Sequence, residues 1–261
     1  MKSLALVTGA ASGLGLEFAA LLAADSYDLI LVDINESSLT DVKSHVESAF
    51  GISAEVCVQD LGKPGAAEAV YTFAGERQID VLINNAGFGL YGPFAETAWE
   101  VEESMIYLHV LTLTRLTKLV LKDMIGRDSG KIMNTSSLAA FQPGPLMSVY
   151  YATKAYILSF SEALANEVQG TGVTVTALAP GWFKTNFQKT TALNSNVEES
   201  QAKLHTATAE KVARRGYQAM MAGKPLVIPG FSNKLMSRAP RILPRKAMTS
   251  IIRRIQERLR K

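Results

Sequence analysis

The sequence predicts an α/β protein: one doubly wound parallel sheet, helices on both of its faces, and a further amphipathic helix at the C-terminal end. Three observations carry this expectation. Short apolar runs recur along the 261-residue chain without polar alternation, the mark of strands buried on both faces. Longer amphipathic stretches separate them, as crossover helices do in right-handed βαβ units. A glycine-rich turn follows the first run. Other residues with chemistry to offer stand just after later runs, at the carboxyl ends where open parallel sheets bind ligands.

The elements follow in order. Leu4–Thr8 reads as the first strand; the apolar run is too short for a signal peptide and leads straight into glycine. A helix is expected over 13–24, then a strand Asp28–Asp33 and a helix over 36–50. The pattern repeats with strand Ala54–Val58 and helix 64–76, then strand Val81–Asn84 and helix 97–124. Strand Gly130–Thr135 precedes helix 149–169, and strand Val173–Leu178 precedes helix 208–222 and a last strand, Pro225–Ile228. Residues 186–208 are polar and lack apolar periodicity, which suggests a lid over a site. Residues 1–233 form one expected domain and 234–261 a basic helical extension.

Composition narrows the function classes. Hydrophobic residues make up 48% and charged residues 20%, which excludes a disordered or fibrous chain. The single cysteine, Cys57, rules out an internal disulfide framework and a four-cysteine zinc site. His45, His109 and His205 are scattered, so no metal site is expected. No run approaches the ~18 consecutive apolar residues of a spanning helix, and a cytoplasmic protein is expected. The net charge of +3 is unevenly spread: residues 234–261 hold ten Lys/Arg and one acid, Glu257, leaving 17 basic and 23 acidic residues elsewhere. Positive charge confined to one tail, with no recognised motif, argues against nucleic acid. On that tail Met248, Ile251, Ile252, Ile255 and Leu259 share one helical stripe, while Arg253, Arg254, Arg258 and Arg260 lie elsewhere. Such a helix can rest on an anionic membrane, on the acidic body of its own chain, on a partner subunit or in solvent. Membrane contact is not the favoured of these.

The turn reads Thr8-Gly9-Ala10-Ala11-Ser12-Gly13-Leu14-Gly15. Glycines allow the backbone close to a pyrophosphate, and the next helix offers its unpaired amides and positive dipole end. Asp33 ends the second strand, where an acid accepts hydrogen bonds from the ribose of NAD and repels the 2′-phosphate of NADP. No Arg or Lys stands at positions 10, 11, 34 or 35, so NAD is expected rather than NADP. The plainer alternative is that Asp33 caps the loop before Asn35 and Ser37.

With further motifs in order, the chain resembles the short-chain dehydrogenase/reductases over about residues 3–230. These are Thr8-x-x-x-Gly-x-Gly at the turn, Asp60-Leu61, Asn84-Asn85-Ala86-Gly87, Ser137, Tyr150-x-x-x-Lys154, and Pro180-Gly181 followed by Thr185. The resemblance implies a Rossmann-like fold and a homodimer or homotetramer. It implies that Gly9, Ser12, Gly13, Leu14, Gly15, Asp33, Asp60, Leu61, Asn85, Ala86, Gly87, Tyr150, Lys154, Pro180, Gly181 and Thr185 bind a nicotinamide cofactor. It implies, too, that Ser137 orients the substrate oxygen, Tyr150 moves the proton, and Lys154 tunes Tyr150 and holds the nicotinamide ribose.

Tyr150 and Lys154 are four residues apart, so a helix places them on one side. An adjacent ammonium is expected to favour the phenolate, lowering a pKa that starts near ~10. Tyr151 projects elsewhere and reads as packing, and Ser136 as turned to the backbone. His109 stands where the family carries an asparagine that holds a water linking the lysine to solvent. Histidine both donates and accepts and titrates near ~6.5, so it can replace that relay, or its bulk can displace the water.

Phe88, Leu90 and Tyr91, then Phe141, Pro143 and Leu146, then Trp182, Phe183 and Phe187 follow these motifs. Phe88, Phe141, Pro143, Trp182, Phe183 and Phe187 are the expected substrate contacts. Their apolar character points to a lipophilic carbonyl compound or secondary alcohol as the small-molecule partner. Two other readings stand beside a soluble NAD-dependent oxidoreductase. One is a dinucleotide-binding scaffold or sensor whose turnover His109 impairs. The other is a lipid-acting reductase docked on membranes through residues 240–261.

Overall fold

The computed structural model describes residues 2–183 and 208–258. Its seven strands form one sheet in the order β3-β2-β1-β4-β5-β6-β7. They are β1 Leu4–Thr8, β2 Asp28–Asp33, β3 Ala54–Val58, β4 Ile79–Asn84, β5 Gly130–Thr135, β6 Val173–Leu178 and β7 Leu226–Val227. Every pairing is parallel, with Leu6 opposite Ile30 on one side and Leu82 on the other. The helices are α1 Gly13–Ala24, α2 Glu36–Phe50, α3 Ala66–Ala74, α4 Trp99–Ile106, α5 Leu113–Gly126, α6 Ser148–Glu167, α7 Ala209–Met221, α8 Phe231–Ile242 and α9 Arg245–Arg258. The predicted doubly wound α/β architecture is the one observed.

The absence of polar alternation in the strands has its reason in two cores. Ala5, Val7, Leu29, Leu31, Val81 and Ile83 face one side, where they pack with α1, α2 and α7. Leu4, Leu6, Ile30, Val32 and Leu82 face the other, with side chains of α3 and α5. β1, β2 and β4 are therefore apolar on both faces, as a covered parallel sheet requires, whereas the edge strand β3 exposes Glu55 and Val58.

Local signals set the helix ends. Asn35 Oδ1 accepts from the Ser38 amide at 3.0 Å at the start of α2, and Gly51, at φ 65°, closes it. Thr208 Oγ1 accepts from the Lys211 amide at 3.3 Å and caps α7.

The differences are instructive. β4 starts two residues before the expected Val81. The expected helix over 97–124 is three pieces, because a π-helical segment, Tyr107–Thr112, separates α4 from α5. The run 99–126 is long and apolar enough to cross a bilayer by length and composition. Its Met105, Leu116, Val120 and Met124 are buried in the protein interior. α8 falls mostly within the expected helical extension, 234–261, but it starts three residues earlier, contains Pro240 and turns apolar residues outward, which neither breaker nor periodicity indicated. The expected lid over 186–208 falls, apart from Thr208, outside the described residues.

Candidate active site

The carboxyl ends of β1, β2, β4, β5 and β6 open on one cavity of about 580 Å³. One end belongs to the glycine turn. Gly9 has φ +67°, and a Cβ there would lie 2.8 Å from Ala86 Cα. A Cβ on Gly15 would sit 1.9 Å from the Gly9 carbonyl oxygen, so α1 can begin against the turn only without a side chain at that position. The turn is tied to the end of β4: Thr8 Oγ1 accepts from the amides of Asn85 at 2.9 Å and Ala86 at 3.1 Å. Asn85 Nδ2 donates to the Thr8 carbonyl at 3.2 Å.

Ser12 precedes α1 but its side chain caps no amide, and the first turn carries no acid. The amides there are therefore available to an anion. Gly9, Ser12, Gly13 and Leu14 line the cavity, as do Asp60, Leu61, Asn85, Ala86, Gly87, Pro180 and Gly181. Gly15 instead serves as the packing contact behind the turn. Thr185 lies outside the described residues.

Asp33 also borders the cavity. Its carboxylate accepts from the Ala11 amide at 3.1 Å, the Ile34 amide at 2.8 Å and the Asn35 amide at 3.1 Å. The loop-capping role is real. A carboxylate has about four lone-pair positions, so capacity for a ribose hydroxyl remains. Among the described residues, Lys154 is the only Lys or Arg lining the cavity. These features fit a nicotinamide dinucleotide: closely packed glycines and free amides suit the pyrophosphate, and Asp33 suits a ribose.

At the other end stand Ser137, Tyr150 and Lys154. Ser137 caps a 3₁₀ turn, Leu138–Phe141, its Oγ accepting from the Ala139 amide at 3.1 Å. It also hydrogen-bonds the Tyr150 phenol. Ser136, as expected, turns to the backbone and donates to the Lys154 carbonyl at 2.8 Å. Lys154 Nζ donates to the Thr135 carbonyl at 3.0 Å and lies 5.7 Å from the Tyr150 ring centre.

The proton affinities correct the sequence argument. Burial pushes Tyr150 up to about 12, outweighing the hydrogen bond from Ser137, which pulls it down. Burial also lowers Lys154 to about 7. The expectation that Lys154 lowers Tyr150 weighed a charge without its desolvation, and here desolvation is the larger effect.

His109 sits in the π-helical segment, fully buried. Its Nδ1 lies 2.9 Å from Thr153 Oγ1, which in turn donates to the Tyr150 carbonyl at 2.9 Å. Because the Thr153 proton is committed there, Nδ1 carries hydrogen and Nε2 is an acceptor. Nε2 has no partner among the described residues. A Cβ built on Gly87 would meet Nε2 at 2.7 Å and Lys154 Nζ at 3.4 Å, so both nitrogens face the same small space. Burial, and then the Lys154 charge, hold His109 well below its usual range. The expectation of a histidine titrating near its ordinary value is therefore corrected: His109 is a neutral acceptor facing the lysine.

The apolar wall is partly as expected. Phe88, Trp182 and Phe183 line the cavity. Phe141 and Pro143 do not: Phe141 ends the 3₁₀ turn and Pro143 faces solvent, so Leu138, Ala139 and Gln142 reach the cavity from that loop instead. Phe187 lies outside the described residues. Tyr151 packs, as expected, with Ala139, Met147, Met248 and Ile252. Its hydroxyl also accepts from Gln256 Nε2 at 2.9 Å.

Met236, Ile252, Ile255 and Gln256 line the cavity as well and were missed, since nothing local links residues a hundred positions apart. Thr153 was missed too. Its spacing from Tyr150 was available, but its partner His109 comes from another helix.

The family model for short chain dehydrogenases matches residues 3–196. A very-long-chain 3-oxoacyl-CoA reductase of Pyrenophora tritici-repentis is 32% identical over 221 residues, covering 81% of this chain. The chain spans 64% of that relative's length. Among solved structures, a 7beta-hydroxysteroid dehydrogenase superposes with a TM-score of 0.87 at 25% identity, covering 96% of each chain. A short-chain dehydrogenase from Sphingobium yanoikuyae in complex with NADPH gives a TM-score of 0.81 at 26% identity, covering 95% of each chain.

Proposed function

The chain belongs to the short-chain dehydrogenase/reductase family, and from that premise we propose that it is an oxidoreductase interconverting a lipophilic carbonyl compound and its secondary alcohol with NAD. The observation that carries this reading is the Ser137–Tyr150–Lys154 group set into the wall of a cavity that Phe88, Trp182, Phe183 and Ile252 also line. When bound, the reduced nicotinamide supplies a hydride to the carbonyl carbon.

The residues supply the rest. The turn at Gly9 to Leu14 and the amides of α1 hold the diphosphate, Asp33 the adenosine ribose, and Lys154 the ribose next to the nicotinamide. The Ser137 hydroxyl donates to the carbonyl oxygen and fixes its position. Tyr150, protonated across the neutral range because burial raises it, gives its proton to that oxygen and completes the alcohol. In the oxidising direction the same phenol oxygen takes the proton back. Lys154 Nζ stands by the phenolate so formed, and His109 Nε2 faces that ammonium as an acceptor. His109 is in this reading a positioning residue that takes over a task the family gives to asparagine.

Two expected results bear on these roles. His109→Asn keeps turnover within about tenfold, because the amide oxygen restores an acceptor, whereas His109→Phe removes it and costs roughly 100-fold or more in kcat. Equal losses in both variants would separate His109 from Lys154.

NADH also binds more tightly than NADPH in parallel fluorescence titrations, because Asp33 repels a 2′-phosphate and no second cation lines the cavity among the described residues. Asp33→Asn narrows the gap by about tenfold. Tighter NADPH binding by the unaltered protein would overturn the choice of NAD. The reaction itself is tested by following NADH consumption with a series of bulky, water-soluble aryl ketones. Loss of NADH with formation of the alcohol is expected, and no turnover with any of them would contradict the proposal.

A further inference from the structure

α8 is built inside out. A surface helix normally turns its apolar stripe to the core. Here Phe231, Leu235 and Ile242, spaced four and seven apart on one face, are 86%, 64% and 83% exposed among the described residues. Its inward contacts are small and polar: Ser237 is buried, and Asn233 donates to the Pro229 carbonyl at 2.6 Å. A Cβ on Gly181 would collide with Asn233, so α8 is seated tightly on the loop after β6. The outward apolar stripe is therefore a fixed feature of the surface.

This stripe adjoins the cavity. Met236 of α8, Ile255 of α9 and Trp182 both line the cavity and are substantially exposed, so they form its rim. Ile251, one turn before Ile255, continues the exposed apolar surface onto α9. Across the same segment, 234–261, ten Lys/Arg face a single acid, Glu257, which pairs with Arg253 at 2.9 Å.

We infer that α8 and the exposed side of α9 dock on an anionic lipid surface, bringing the apolar rim of the cavity against the bilayer. Lipophilic substrate then enters from the lipid phase without crossing water. Apolar side chains at the level of the headgroups and cations among anionic phosphates are what such a surface accepts. A symmetric contact with a second copy fits poorly. It would set one +9 segment against another, because a two-fold interface meets its own surface. The docking stands on the surface alone. The entry route rests on the reading of the cavity as a site for lipophilic carbonyl compounds.

The test is co-sedimentation of the full chain with phosphatidylcholine vesicles, with and without phosphatidylglycerol. It is run beside the triple variant Phe231→Glu, Leu235→Glu, Ile242→Glu, whose changed residues lie outside the cavity. The unaltered protein is expected to pellet with anionic vesicles and to be released by salt. The variant is expected to bind at least about tenfold more weakly while titrating with NADH unchanged. Equal binding by the two, or no binding by either, overturns the inference. So does a unaltered protein that sediments as a dimer without lipid and becomes monomeric in the variant, since the stripe would then be covered by a second copy. Vesicle binding is read without turnover, so failure of the proposed reaction leaves this result distinct.

Discussion

Tyr150→Phe is expected to reduce turnover by about 10²–10⁴-fold while leaving NADH binding and the fold in place. The substitution removes one oxygen. That oxygen is the proposed proton donor to the substrate and the partner of Ser137; the ring's edge-on contacts with His109 and Tyr151, 6.1 and 6.0 Å between ring centres, survive. The loss of one hydrogen bond costs about 1 kcal/mol of stability, too little to unfold a domain of this size. Stopped assays of NADH consumption, paired with fluorescence titration of NADH, separate the two effects. Near-normal turnover would remove Tyr150 from the chemistry.

Lys154→Met is expected to have two opposite effects. Turnover falls by roughly 100-fold or more, because the ammonium proposed to stabilise the phenolate and bind the ribose is gone. Thermal stability rises. Burial lowers Lys154 from 10.5 to about 7, so the unfolded chain binds a proton that the folded chain releases between those values. Stability of the parent protein therefore climbs with pH across that window, and below about pH 7 it carries the whole cost of burying the charge. The methionine variant has no such cost. Its gain, on the order of 1–2 kcal/mol once the lost bond to Thr135 is offset, is greatest below pH 7 and fades towards 10.5. Melting curves of both proteins at several pH values read this directly. A variant less stable than the parent at pH 6 would contradict the assignment of a buried, destabilising cation.

The same pair shows what the sequence can and cannot convey. The strands and the sheet were legible because a parallel sheet covered on both faces forces uninterrupted apolar runs such as Leu29–Val32. Most of the cofactor end was legible because the motif residues lie at strand ends, where the topology alone brings them together. Proton affinities were not. A neighbouring charge can be inferred from an i,i+4 spacing, but the burial that pushes Tyr150 up and His109 down depends on every element packed around them.

The placement of the tail stayed open in the sequence for a related reason. Its helical stripe was visible, yet Met248, Ile252 and Gln256 face Tyr151 across a separation of about a hundred residues, while Phe231 and Leu235 face outward. Periodicity reports that a helix has two faces; it does not report which partner each face meets. The π-helical turn around His109 was hidden as well, since its sequence, Tyr107–Thr112, continues an ordinary helical pattern.

The claim that this site performs hydride transfer, rather than only holding a dinucleotide, is tested most directly by isotope transfer. The purified protein is incubated with NADH carrying deuterium at the reactive carbon and with a bulky aryl ketone, and the product is examined by mass spectrometry. Deuterium on the carbinol carbon, absent when Tyr150→Phe replaces the parent protein, is the predicted result. Tight NADH binding with no labelled alcohol from any ketone in the series would contradict the account and leave a binding scaffold in its place.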